Sequence, residues 1–414
     1  NFVKFFIFLL CLSLPLLAED GTSPASLAVN KLGIELLPLA AKANENALIS
    51  PYSIQSALAM TFAGADGETR KEMARVLHFS EDTIASFASL QVQLSEIEAK
   101  TRALAEDSQR MGAKSDPITL RVANRLFGQK GYAFRPEFLS LVKQKFDAPL
   151  EQLDFQANPD AAAKLINAWV EKQTRDRIKD LIPPRALDDL TRLVLVNAIY
   201  LKAPWATPFS VEATSPLPFY LADSTKADVP TMMLSESLGY ERTKHGVAVA
   251  LPYLGNDLQL LVLIPSNSMA SFEKSLTAEF LKSCANLPER KVSLFLPKWK
   301  LQPPVLALAD TLQSLGMKTA FDIPRGSANF EGIAPRRGTD YLYISNVFHK
   351  TFMAVDEKGT EAAAATAVVM MSATMLVETE TPIEVRVDRP FIFAIQHRPS
   401  GACLFLGRLM DPRP

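Results

Sequence analysis

Histidine and cysteine are scarce in this 414-residue chain, at four and three residues, and the shortage removes most common catalytic and metal-binding patterns. His78, His245, His349 and His397 lie far apart, and no HExxH, CxxC, Gly-x-Ser-x-Gly or Walker sequence occurs. No enzyme activity, metal or other cofactor is therefore expected, since a catalytic site would need distant residues to converge. Excess charge is also lacking. Lys and Arg total 44 against 45 Asp and Glu, so overall charge draws neither nucleic acid nor an acidic surface. No Asn-x-Ser/Thr sequon occurs, which leans toward a bacterial periplasmic or secreted protein without excluding a eukaryotic one.

Only one long apolar run is found, from Phe5 to Leu17, preceded by Lys4 and followed by Ala18 and acidic residues. It reads as a secretory signal peptide over residues 1–18. The alternative is an uncleaved anchor, for which the run falls short of the ~20 residues a spanning helix needs. No later segment is long enough to span, so no membrane association is expected after cleavage. Two cysteines then remain, Cys284 and Cys403, which permit one disulfide and do not require it.

What is present is an ordinary globular balance, 48% hydrophobic and 21% charged, with length enough for a large core. No repeat or long linker divides residues 19–414, which read as one domain. Helical spacing dominates the first half. "SLAVNKLGIELLPLA" carries a kink signal at Pro38, "PYSIQSALAMTFAGA" starts on Pro51 and stops near Gly64, and "AAAKLINAWVEKQTRDRI" continues the pattern. The second half turns to strands. "LTRLVLVNAIYLKAPW" is apolar for most of its length, as in a sheet covered on both faces. "VAVALPYLGNDLQLLVLIP" and "PFIFAIQHRPSGACLFLGRLM" read as hairpins turning at Gly255-Asn256-Asp257 and Pro399-Ser400-Gly401. Helices first and mostly antiparallel strands later make the fold class α+β.

One stretch resists a simple reading. "EKGTEAAAATAVVMMSATM", from Glu357 to Met375, opens like a capped alanine helix and continues with the Thr, Val and Met of a strand. Taken alone, His349 reads as a hydrogen-bonded core histidine, and Lys298 and Glu357 read as solvated charges.

Together with "NALISPYSIQSALAMTFAGADGET", "ANRLFGQKGYAFRPEFL", "LVNAIYLKAPW", "LPKWKL", "VFHKTFMAVDEKGTEAAAATA" and "DRPFIFAIQHRPSGACLFLGRLMDP", this stretch resembles the serpin family, serine protease inhibitors of the large conformational type. The motifs occur in the family's order and cover essentially all of residues 25–412. The resemblance implies about nine helices and three β-sheets, with an exposed reactive-centre loop at about 357–385. It implies a hinge made of Gly359, Thr360, Glu361, Ala362, Ala363, Ala364, Ala365, Thr366 and Ala367. It further implies that a target protease cuts the loop, which then enters the main sheet as a new strand and traps the acyl-linked protease. By the same resemblance Ser53, Ser56, Asn197 and His349 match the polar shutter beneath the sheet. Trp205, Lys298 and Glu357 match the breach where the loop enters, with Lys298 and Glu357 expected to pair.

The residues themselves suit such an insertion. Alternate positions Thr360, Ala362, Ala364, Thr366, Val368 and Met370 are uncharged, as an inward sheet face requires. Glu361 falls on the other face, where its charge is expected to remain in solvent. No proline interrupts residues 359–373. The family's loop spacing places the scissile bond between Ala373 and Thr374, with Met371 and Met375 as alternatives because the segment that follows is longer than in many members. A small residue before the bond suits an elastase-like or subtilisin-like serine protease, and a Met an elastase-like or chymotrypsin-like one. Cysteine proteases are a further target class. The other reading open at this point is a non-inhibitory carrier, chaperone or binding protein. "IEAKTRALAEDSQRMGAK" mixes both charge signs without a basic stripe, so no strong heparin site is expected. The expected protein is a secreted monomer, periplasmic if bacterial.

Overall fold

Residues 23–110, 116–146, 148–361 and 381–413 are described by the structure, a computed structural model. The segment expected to be a signal peptide, the expected hinge residues Ala362 to Ala367, and the expected or alternative cleavage residues Met371, Ala373, Thr374 and Met375 lie outside the described residues.

Local chemistry accounts for the helix ends. Ser23 caps the helix Pro24–Leu36, which stops short of Pro38 and tightens into a 3₁₀ turn over Leu37–Leu39. Ser50 caps Pro51–Phe62, its Oγ accepting from the Ser53 N–H, with Pro51 in the first turn where a missing N–H costs nothing. Every residue of that helix is buried, so it is a core helix without a solvent face. Asn158 caps Pro159–Gln173, and the chain leaves that helix through two left-handed residues, Arg175 (φ 50°) and Asp176 (φ 61°). Nine α-helices occur among the described residues.

Among the described residues the strands join into two sheets, and the expected third is not distinguished from them. In the larger, the strands run in the order Ala47–Ile49, Ala402–Leu409, Phe391–His397, Leu258–Pro265, Gly246–Pro252, Lys226–Arg242, Glu289–Pro297, Ile383–Arg386. Both expected hairpins are present, and the first turns through Gly255 and Asn256, both at positive φ. The strand Lys226–Arg242 pairs with Ser215–Tyr220 at its start and Gly246–Pro252 at its end, so hydrogen bonding runs unbroken from that edge into the sheet.

The second sheet is built on Leu193–Pro204, which pairs antiparallel with Thr119–Gln129 along ten residues. Its apolar run is continuous because both faces are covered. Leu193 and Leu195 pack with Ile54 and Leu58 of the core helix, while Val194, Val196 and Ala198 pack with Ile166 and Val170 of the helix Pro159–Gln173. Most pairings are antiparallel. The parallel ones are Val347–Lys350 on Leu193–Pro204, Ile383–Arg386 on Glu289–Pro297, and Glu151–Leu153 on Thr119–Gln129.

Candidate functional site

The second sheet is paired differently at the two ends of Leu193–Pro204. Near the Leu193 end its free edge meets Val347–Lys350 directly, with His349 opposite Asn197. Near the Pro204 end a two-residue strand, Gly359–Thr360, lies between it and Met353–Asp356. Thr360 is paired with Ala203 on one side and Val355 on the other. The two central strands are therefore closed at one end and held apart by one strand at the other.

A polar row crosses the closed end. His349 Nε2 accepts the Ser50 N–H at 3.0 Å, so Nδ1 carries the proton and donates to Asn197 Oδ1 at 2.7 Å. Asn197 Nδ2 in turn faces the Ser53 carbonyl, Ser53 Oγ at 2.6 Å and Asn124 Oδ1 at 2.8 Å. The capped helix, Thr119–Gln129, Leu193–Pro204 and Val347–Lys350 are thus tied by side chains as well as by backbone. Burial pushes the His349 pKa down to about 3, which keeps the ring neutral. Ser56 is buried on the same helix but takes no part in these bonds among the described residues.

At the open end the Gly359–Thr360 insertion is closely fitted. Gly359 has φ 152°, and a Cβ there would run into the Ala203 carbonyl oxygen, so only glycine fits. Thr360 is buried, and its Oγ1 lies 2.6 Å from the Tyr253 hydroxyl. The Tyr253 ring stacks on Trp205 with centroids 4.5 Å apart, and Trp205 Nε1 donates to the Asp356 carbonyl at 2.9 Å. Beside them Lys298 Nζ pairs with Glu357 Oε2 at 2.8 Å, and Thr214 Oγ1 donates to Glu357 Oε1 at 2.9 Å. Glu357 is buried, not the solvated charge its sequence context suggests. Burial raises its pKa, but the Lys298 and Thr214 bonds outweigh that and leave it below the usual carboxylate value.

Glu361 departs from expectation. It sits on the outward face of the sheet, but its side chain is only 10% exposed and pairs with Arg177 Nε at 2.5 Å. The turn that follows the helix Pro159–Gln173 covers this face and brings Arg177 over it. Burial holds the Glu361 carboxyl above its ordinary range despite the guanidinium.

Sequence reasoning passed over Tyr253, Thr214, Asn124 and Arg177. Their partners lie 73 to 184 residues away, and no local period marks them. Cys284 and Cys403 are both buried free thiols, and burial raises the Cys284 pKa to about 12. No helix among the described residues is long and apolar enough to cross a membrane.

A family model described as serpin (serine protease inhibitor) matches residues 27–412. An uncharacterized serpin-like protein of Thermococcus kodakarensis is 37% identical over 96% of this chain and 88% of its own. The leukocyte elastase inhibitor of Bos taurus is 39% identical over 89% of this chain and 93% of its own. Among solved structures, uncleaved ovalbumin superposes with a TM-score of 0.76 at 27% identity, covering 94% of this chain and 99% of its own. With the fold, the motif order and these relatives in agreement, this chain belongs to the serpin family.

Proposed function

We propose that the chain is a suicide-type inhibitor of serine proteases, which cut it between Ala373 and Thr374 and are trapped as the segment after Glu361 enters the sheet. The observation that carries this reading is Gly359–Thr360, already hydrogen-bonded between two central strands that close onto each other farther down. Extending that register past Glu361 sets Ala362 opposite Leu201 and Ala364 opposite Ile199. Thr366 would arrive between Asn197 and His349, where its hydroxyl could replace the bond they lose on parting. The residues that must enter are small and uncharged.

The chemistry is acyl transfer by the protease. Its serine attacks the Ala373 carbonyl carbon, the Ala373–Thr374 bond breaks, and the Thr374 amine leaves with a proton. Ala373 then remains as an ester on the protease. Fourteen inserted residues carry that ester roughly 46 Å, and trapping succeeds if insertion outruns attack by water. The uncleaved state persists because a barrier holds it. In this scheme Ser53, Ser56, Asn197 and His349 act as the shutter, and Trp205, Lys298 and Glu357 as the breach.

The target class is elastase-like or subtilisin-like from Ala373, with chymotrypsin-like enzymes added if cleavage falls at Met371 or Met375. The similarity to a leukocyte elastase inhibitor favours the first of these. Cysteine proteases could be trapped as thioesters. Secretion through residues 1–18 and a monomeric state complete the reading. It includes no heparin cofactor. Lys100 pairs with Asp257, Arg102 with Glu98 and Arg110 with Asp107, which leaves the helix Glu81–Arg110 without a free basic face at these residues.

The test is incubation with elastase-, chymotrypsin- and subtilisin-like proteases, followed by denaturing electrophoresis and mass measurement of the released peptide. A complex that survives SDS, with a peptide beginning at Thr374, is expected. Cleavage with no covalent complex would sink the inhibitor reading.

A further inference from the structure

On the outward face of the open end, a cleft of about 430 Å³ is lined by Arg175, Arg177, Lys202, Lys300, Asp356 and Glu361, with Tyr200 and Phe352 also contributing. Four cations thus face two carboxylates. Lys202 is held outside the balance by Asp116 at 2.7 Å. Arg175 and Lys300 make no ion pair among the described residues. Aromatic rings steady the cations without neutralising them. The Arg177 guanidinium lies 5.5 Å and Lys300 Nζ 5.8 Å from the Phe352 ring centre, and Arg175 lies 5.8 Å from that of Tyr200.

Two features mark this arrangement as more than a solvated surface. Arg175 and Asp176 both adopt left-handed backbone, an unfavourable conformation for side-chain-bearing residues, and the turn they form brings Arg175 and Arg177 to one cleft. Glu361 is incompletely satisfied there. Its Oε1 meets Arg177, and the Tyr200 hydroxyl and Arg175 charge also favour its carboxylate, while Oε2 is buried without a hydrogen-bond partner of its own.

We propose that this cleft binds a compact free oxyanion of the phosphate or pyrophosphate class, held by Arg175, Arg177 and Lys300 in exchange for Glu361. A guanidinium presents paired N–H groups that match phosphate oxygens, and the lining carries one uncompensated positive charge, two once Glu361 withdraws, for an anion to offset. Once Arg177 turns to the ligand, Glu361 is left mostly buried without its cation. Occupancy therefore favours withdrawal of Glu361, and of the adjoining Thr360, from the sheet. By linkage, anything that fixes Thr360 in the sheet weakens anion binding by the same factor. This coupling rests on the hinge reading under Proposed function, whereas the binding does not.

Both halves are read without protease, so their failure is separate from any failure of covalent inhibition. The full chain is titrated with pyrophosphate by calorimetry at ionic strength fixed with sodium chloride. Tryptophan emission is followed in parallel, since Trp205 stacks on the tyrosine that contacts Thr360. Saturable binding is expected, together with an emission change that Trp205→Phe abolishes. Arg175→Gln and Lys300→Gln should each weaken binding about tenfold, and Glu361→Gln should tighten it by about the same factor, within the usual range of coupling. Heats equal to those of chloride alone, or binding indifferent to both cation variants, would overturn the site. Binding without the emission change would overturn the exchange with Glu361. Heparin fragments or anionic phospholipid vesicles that bind through Arg175 and Lys300 where pyrophosphate does not would overturn the assignment to a free anion.

Discussion

Asn197 and His349 stand directly opposite each other on neighbouring parallel strands and are joined by a 2.7 Å hydrogen bond from His349 Nδ1 to Asn197 Oδ1. This bond lies across the strand pair that must separate if a new strand is to enter. Replacing Asn197 with Ala leaves the Nδ1–H and Asn124 Oδ1 without their partner in the interior. Stability should fall by about 1–3 kcal/mol. Urea unfolding checks the loss, and size-exclusion chromatography should show faster spontaneous self-association.

The same histidine sets a pH dependence. His349 is held down to about 3 and His397 to about 4, both by burial, while an unfolded histidine titrates near 6.5. Above that value neither state binds the proton and the contribution is fully present. As pH falls below it, the unfolded chain takes up protons that the folded chain refuses, so stability declines until the folded values are reached. Each histidine should contribute a slope approaching 1.4 kcal/mol per pH unit, read from urea midpoints between pH 7 and 5. A His349→Gln variant should lose the His349 share, roughly half of the two histidines' combined slope.

Lys298 and Glu357 give a second, independent handle. Glu357 is 8% exposed and Lys298 36% exposed, so removing the ammonium leaves a carboxylate that water reaches poorly. Lys298→Met should destabilise by about 1–2 kcal/mol, less than for a fully buried pair because Lys298 is partly solvated. In a double-mutant cycle with Glu357→Gln, the second substitution should recover part of the loss.

If the segment after Glu361 inserts as proposed, charge on the entering face should turn the chain from an inhibitor into a substrate. Thr366→Arg would carry a guanidinium into the row occupied by Asn197 and His349, where it cannot be solvated. The fraction of protease captured as covalent complex should drop by an order of magnitude or more relative to wild type, with cleaved chain accumulating instead. Undiminished capture would contradict the register.

Much of this was legible in the sequence, for identifiable reasons. The run through Leu193–Pro204 and both hairpins are local patterns of hydrophobicity and turn chemistry, and the structure has them where expected. Alternation of faces correctly separates Thr360 from Glu361. It cannot foresee that the outward face is covered at that point by the turn carrying Arg177, because that turn lies 184 residues away in sequence. For the same reason Glu357 looks solvated until Thr214 and Lys298 are brought to it. Local periodicity finds elements, whereas the contacts that hold Gly359–Thr360 in place depend on tertiary approach.

The most direct test of strand addition is hydrogen exchange of the loop after a single cut. The chain is nicked at Ala373, and exchange of the amides of residues 362–372 is compared with that of the uncleaved protein. The account predicts that these amides become as protected as those of Leu193–Pro204. Amides that exchange as fast after cleavage as before it would contradict the account.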